Sequence, residues 1–383
     1  MSRWPATIDA SPIFSPNRYG SVPFARRTFA AELVSILKTC SFARVRNHGV
    51  AAKTTERLFK LHRYFFDLPL ATKLTVQHAG GGSPARGYSP WAYEKAAIRK
   101  PDLHTAPSLP PTQHPHPHAL LDAREQFTMG PPSDVTFKTP QLAEEDLPGF
   151  NAAVADAYRQ MAETCRELVR VIEEGLGAPR GSITGQTADG EGTELNLNYY
   201  PQARRGTIAD ALGRSSAGED NADRSGYVAG MRRIWPHSDL GVVCAIFQDR
   251  IGESGLEVYL REPEPELSGF VPVSVDDEND MILFVSDTLE RWTNGQLQAA
   301  VHRVGLPPAT PGSKRILVPK RSSAVMSFRA PPTADLYPLS HFISAKNPAR
   351  PWYKHITAGE YLKHHNDRIN QAMHNGTQTT GKE

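Results

Sequence analysis

The sequence predicts a mainly β fold with helical flanks, a double-sheet or jelly-roll barrel backed by helices. Two patterns predict it. Up to about position 176 the apolar residues recur at helical spacing; from position 194 they fall in short runs bounded by turns. The 29 Gly and 32 Pro separate these runs and mark the loops. A length of 383 residues suits one large barrel with helical additions.

The elements follow in order. Residues 25–40 read as an amphipathic helix with Phe29, Leu33 and Ile36 on one stripe. A short strand at 42–45 closes on Asn47-His48-Gly49, and a second helix at 53–66 stops before Pro69. The strongest helix runs from about 148 to 176. Phe150, Val154, Tyr158, Met161, Cys165, Leu168 and Ile172 form its stripe, and Gly177 and Pro179 end it. Strands follow at 195–200, 241–248, 256–260, 270–275, 281–285, 299–304 and 323–328. The expected units are a helical and mixed region over 1–190 and a barrel core over 191–335. A C-terminal helical segment with a frayed tail covers 336–383.

Composition excludes several function classes. Hydrophobic residues make up 39% and charged residues 22%, enough for a core and unlike a disordered chain. The net charge of +2 gives no reason to expect nucleic acid or an acidic membrane as partner. No run of 18 apolar residues is present, and the first ten residues lack the apolar stretch of a secretory signal. Three cysteines, Cys40, Cys165 and Cys244, form neither a disulfide framework nor a zinc spacing, so a reducing, cytoplasmic setting is expected.

One constellation carries chemistry. Trp235-Pro236-His237-Ser238-Asp239 precedes an apolar run, and positions i and i+2 of a strand share a face, so His237 and Asp239 are expected to point together into the barrel. His302 follows 63 residues after Asp239, in a second apolar strand setting. Two histidines and a carboxylate form the facial set that binds Fe(II) and leaves coordination positions open. Each residue alone is unremarkable, since H-x-D is common and a lone strand histidine is usually structural. Arg321 lies 19 residues past His302 at the entry to the next strand. Inside a barrel it needs a carboxylate partner, with the Ser323 hydroxyl adding a bond; at the rim it simply faces water. Asn198-Tyr199-Tyr200-Pro201 offers a further hydroxyl.

At these motifs the chain resembles the iron(II)/2-oxoglutarate-dependent dioxygenases of the isopenicillin N synthase-like branch. The resemblance rests on SFARVRNHGV at 41–50, FFDLP at 65–69, RGYS at 86–89 and DAREQFTMG at 122–130. It continues with NYYP at 198–201, HSDLGVV at 237–243, FQD at 247–249, GLEV at 255–258, RWTNGQLQAAVHRV at 291–304 and RSS at 321–323. The phrases RIWPHSDLG and RWTN…HRV are most similar to fungal secondary-metabolism members.

The resemblance implies a double-stranded β-helix core and the cofactors Fe(II), 2-oxoglutarate and O2. It implies His237, Asp239 and His302 as iron ligands. Arg321 and Ser323 would hold the distal carboxylate of 2-oxoglutarate with support from Tyr200, and Asn198 would lie near the metal end. His48 marks a structural turn. Ser322 stands where the family often has an aromatic, and the 302–321 interval is long, which leaves Arg303, Arg315 and Arg329 as competitors of Arg321.

The partner is then a small molecule, oxidised at a C–H bond by hydroxylation, desaturation or rearrangement. Tyr88, Phe127, Phe247 and Phe328, with Trp91 and Tyr93, are the candidate pocket aromatics and suggest a flat or apolar substrate; each is also a natural core residue. Arg124 is expected to pair with a substrate acid or phenolate, or with a neighbouring glutamate near Glu125. The polar stretch 202–230 is a surface loop or a lid. The rival readings are an iron oxidase of the same fold that does not use 2-oxoglutarate, a zinc hydrolase with the same donors, and a non-enzymatic metal binder using the HPHPH run at 114–118.

Overall fold

The computed structural model describes residues 7–15, 22–79, 84–91, 93–94, 96, 122–187, 192–204, 233–249, 255–261, 268–305 and 317–377. The 114–118 run, Arg315 and all but the first residues of the 202–230 stretch lie outside them.

The helices form where the apolar spacing requires them. After α1 (Ser11–Phe14) come α2 (Val22–Cys40), α3 (Ala52–Asp67), α4 (Leu70–Leu74) and the long α5 (Phe150–Gly175). The stripe read from the sequence is the buried face of α5: Phe150, Val154, Met161, Cys165, Leu168 and Ile172 are all sealed. Gly175 lets α2 cross closely, because a Cβ there would meet Ala30 O at 2.3 Å. Two later helices are α6 (Asp287–Trp292), just after Val285, and α7 (Ala358–Thr377), near the C-terminal end.

Two sheets make the barrel. The larger joins β1 (Ile8–Asp9), β2 (Phe42–Arg46), β3 (Gly87–Ser89), β4 (Glu125–Met129), β5 (Glu194–Tyr200), β8 (Val243–Gln248), β11 (Met281–Val285) and β14 (Arg321–Phe328). Their spatial order is β1-β2-β11-β8-β14-β5-β4-β3. The smaller joins β7 (Ile234–His237), β9 (Leu256–Leu260), β10 (Gly269–Pro272) and β12 (His302–Val304) in the order β10-β9-β12-β7. A ribbon of β6 (Ala203–Arg204) and β13 (Leu317–Val318) stands apart. Apart from the parallel β1–β2 pair, the ladders are antiparallel. This is the double-stranded β-helix with N-terminal helices.

Strand alternation divides the interior into two cores. On β8, Val243, Ala245 and Phe247 pack toward the helices, whereas Cys244 and Ile246 face the smaller sheet. On β11, Met281, Leu283 and Val285 take the helical side and Ile282 and Phe284 the barrel side. A chamber opens on the barrel side. No helix among the described residues is long and apolar enough to cross a membrane. No disulfide links the three cysteines.

Candidate active site

The sequence places His237 and Asp239 on one strand face, but β7 ends at His237 and Asp239 lies in the turn beyond it. The turn, not the pleat, brings the carboxylate round. His302 opens β12 and pairs directly with His237 across the ladder, so the expected strand at 299–304 is shorter than its apolar run.

These three side chains converge. One ligand atom from each lies within 4.8 Å of the other two. His237 Nε2 is 3.9 Å from Asp239 Oδ1 and His302 Nε2 is 3.8 Å from Asp239 Oδ2. Both histidines direct Nδ1 at backbone carbonyls, Trp235 O at 2.8 Å and Ala300 O at 3.0 Å. A ring that donates from Nδ1 keeps its Nε2 lone pair for a metal. The donor set, its tautomers and its burial fit one ion of the Fe(II) type. Behind the ligands, Ser238 Oγ donates to Asp287 Oδ1 at 2.6 Å and Tyr361 Oη donates to Asp287 Oδ2 at 3.1 Å. The C-terminal helix α7 is thereby tied to the residue between two ligands.

Arg321 opens β14, directly opposite Tyr200 of β5. It is 3% exposed. Its Nη1 donates to Ser323 Oγ at 3.2 Å, and its guanidinium carbon stands 4.9 Å from the Tyr200 ring centre. No carboxylate of the described residues pairs with it, and burial pulls its pKa below the ordinary arginine value. An unpaired buried guanidinium is costly, so a carboxylate ligand fits the position. Two of its competitors are engaged elsewhere, Arg303 with Glu257 at 2.6 Å and Arg329 with Glu194 at 2.7 Å.

His237, Asp239, His302, Arg321, Ser323, Tyr200 and Asn198 all line one chamber. Tyr88, Phe127, Phe247 and Phe328 do not. Tyr88 donates to Glu125 Oε2 at 2.6 Å, Phe127 packs against Phe65 and Phe150, and Phe247 meets His48 edge-on. Phe328 is fully buried in the helix-side core. The reason is register: on β4, β8 and β14 these aromatics are out of phase with the chamber-facing positions. Trp91 is half-buried and away from the chamber lining, whereas Tyr93 lies on it beside His78.

The chamber wall beyond the three-donor cluster is polar. Gln126, Asn196 and Ser327 line it. Gln126 Nε2 donates to Asn196 Oδ1 at 3.2 Å, and Asn196 Nδ2 donates to Ser327 Oγ at 3.4 Å. Asn196 and Ser327 lie in phase with Asn198 on β5 and Ser323 on β14, a signal carried by strand period and not by aromatic residue type. Among the described residues the carboxylate beside Arg124 is an aspartate, not the glutamate expected: Nη2 lies 3.3 Å from Asp122 Oδ2. Burial alone would lower its pKa, but Asp122, Tyr200, Glu94 and Asp239 together raise it.

Comparison with known proteins agrees with this geometry. Residues 7–146 match the family described as non-haem dioxygenase in morphine synthesis N-terminal, and residues 195–324 match the 2OG-Fe(II) oxygenase superfamily. The chain is 32% identical to the 2-oxoglutarate-dependent dioxygenase ucsF of Acremonium sp, over 91% of this chain and 96% of that protein. It is 30% identical to imqE of Aspergillus flavus, a 2-oxoglutarate-dependent dioxygenase, over 90% of each. The fold is shared with full-length Neurospora crassa T7H in complex with alpha-KG and thymine, at a TM-score of 0.73 and 22% identity, covering 94% of this chain and 96% of that one.

Proposed function

Because the chain belongs to the 2OG-Fe(II) oxygenase superfamily, we propose that His237, Asp239 and His302 are its iron ligands. In the same reading Arg321, with Ser323 and Tyr200, receives the distal carboxylate of 2-oxoglutarate, and Asn198 lies nearer the metal. The protein is an Fe(II)/2-oxoglutarate-dependent dioxygenase acting on a small molecule. The observation that carries the residue assignment is the single chamber holding both the three-donor cluster and a buried arginine with no carboxylate partner among the described residues.

With Fe(II) and 2-oxoglutarate bound, such a site couples oxidative decarboxylation of the keto acid to oxidation of a substrate C–H bond by O2. The protein's own residues do the rest. The Nδ1 bonds of His237 and His302 fix ring orientation and tautomer, so both Nε2 atoms are ready for the ion. Arg321 offers a planar fork that selects and orients a carboxylate, and Ser323 and Tyr200 hold that fork in place. The aliphatic side chains of Ile246, Leu256 and Val304 line the metal region and limit water there.

The polar wall of Gln126, Asn196 and Ser327 supports a hydrogen-bonding substrate rather than the flat, apolar one suggested by sequence aromatics. The fungal relatives support a secondary metabolite as its class. Three cysteines in 383 residues, too few for a disulfide framework, support a reducing, cytoplasmic setting.

The test is aerobic incubation of the Fe(II)-loaded protein with 2-oxoglutarate and candidate metabolites, quantifying succinate. Substrate-stimulated succinate that disappears in Arg321→Ala supports the assignment. Full succinate formation by that variant contradicts it.

A further inference from the structure

We propose that Arg124 is a positioning residue. It grips the side-chain carbonyl of Asn198 and thereby presents the Asn198 amide N–H to the cosubstrate. The inference rests on the reading that 2-oxoglutarate extends from Arg321 toward the metal.

Arg124 Nη1 donates to Asn198 Oδ1 at 2.6 Å, and the contact is buried. A guanidinium has only donors, so the atom facing it has to be the amide oxygen. That contact settles which end of Asn198 is which. Nδ2 points away from Arg124 and donates to no acceptor among the described residues, while both side chains line the chamber. Arg124 is itself anchored, because Asp122 is fully buried and holds Nη2 at 3.3 Å. From the helical side, His62 Nε2 donates to the Asn198 backbone carbonyl at 3.1 Å. Asn198 is therefore fixed at both its backbone and its side chain.

Strand register places this amide on the cosubstrate path. Arg321 pairs with Tyr200, the next chamber-facing pair is Ser323 with Asn198, and further along Ser327 pairs with Glu194 and with Cys244. Val242 N donates to Phe328 O at 2.8 Å, so the chain enters β8 from Asp239 at this end of β14, which marks the metal end of the series. A dicarboxylate reaching from Arg321 toward the metal passes the Ser323–Asn198 pair. Ser323 already bonds Arg321, and Asn198 supplies a donor whose orientation Arg124 has set in advance.

Asn198→Asp is the sharpest test. It is isosteric and keeps the Arg124 contact, but it replaces the inward N–H donor with an oxygen. Anaerobic titration of the Fe(II)-loaded protein with 2-oxoglutarate, read by the visible charge-transfer band, should show Kd raised at least about thirtyfold with Fe(II) affinity unchanged. Arg124→Met should raise Kd about tenfold, and Arg124→Lys should recover part of the loss. The double variant Arg124→Met/Asn198→Ala should be no weaker than Asn198→Ala alone.

Tolerance of Asn198→Asp within twofold, or multiplying losses in the double variant, overturns the proposal. If Arg124→Met fails to fold with Asp122 left uncompensated, Asn198→Asp and Arg124→Lys decide the matter. Wild-type protein that binds Fe(II) but not 2-oxoglutarate overturns the cosubstrate reading and this inference with it. Wild type that binds both, alongside an Asn198→Asp variant that also binds normally, overturns this inference alone.

Discussion

Arg321 and Phe328 lie seven residues apart on β14 and face opposite sides of the sheet: the guanidinium enters the chamber and the ring is sealed against the helices. An odd separation on a strand always reverses the face. Substitutions at the two positions should therefore fail in opposite ways. Phe328→Leu should cost about 1–3 kcal/mol of stability by denaturant melting while leaving the 2-oxoglutarate Kd within twofold. Arg321→Ala should leave stability unchanged or raised, because it removes a buried charge without a counterion among the described residues, and should weaken 2-oxoglutarate about a hundredfold.

Ser238 sits between two of the proposed metal ligands and is tethered through Asp287 to Tyr361 of α7. Ser238→Ala releases the backbone that carries Asp239. Anaerobic Fe(II) titration should then show a Kd raised about tenfold, in the range expected for groups that orient metal ligands. Tyr361→Phe removes only the outer bond and should cost about 1 kcal/mol of stability with a smaller effect on iron.

His62 is fully buried between α3 and the larger sheet, and burial pushes its pKa down to about 3. In the unfolded chain its pKa lies near the ordinary value of about 6.5. Between these values the unfolded state binds the extra proton, so folding stability falls as pH drops below about 6.5. The contribution is fully present above that pH. His62→Gln retains a donor for the Asn198 carbonyl but cannot titrate. Its stability should fall less steeply than wild type between pH 6.5 and 5, by as much as about 1.4 kcal/mol per pH unit, as measured by urea melts. Parallel slopes for the two proteins would refute a neutral His62.

The helical region and most strands were legible because burial on one face imposes a period. The α5 stripe from Phe150 to Ile172 is the clearest instance. The residues of the metal cluster were legible for the same reason as the family motifs: few donor sets carry that chemistry. What failed was the local reason given for Asp239, since a turn after β7 does the work assigned to the pleat. The substrate aromatics failed because residue type was weighed without strand phase. Counting in twos from Arg321 leads through Ser323, Val325 and Ser327 and never reaches Phe328. The Arg124–Asn198 contact joins positions 74 residues apart, and only the pairing of β4 with β5 brings them together.

The most direct test of the central claim is anaerobic. Fe(II) and then 2-oxoglutarate are added to the purified protein, and the visible metal-to-ligand charge-transfer band is followed in wild type, His237→Ala and Arg321→Ala. The account predicts a saturable band in wild type, none in His237→Ala because iron is not held, and one in Arg321→Ala only at far higher 2-oxoglutarate. An undiminished band in His237→Ala, or an unchanged midpoint in Arg321→Ala, would contradict it.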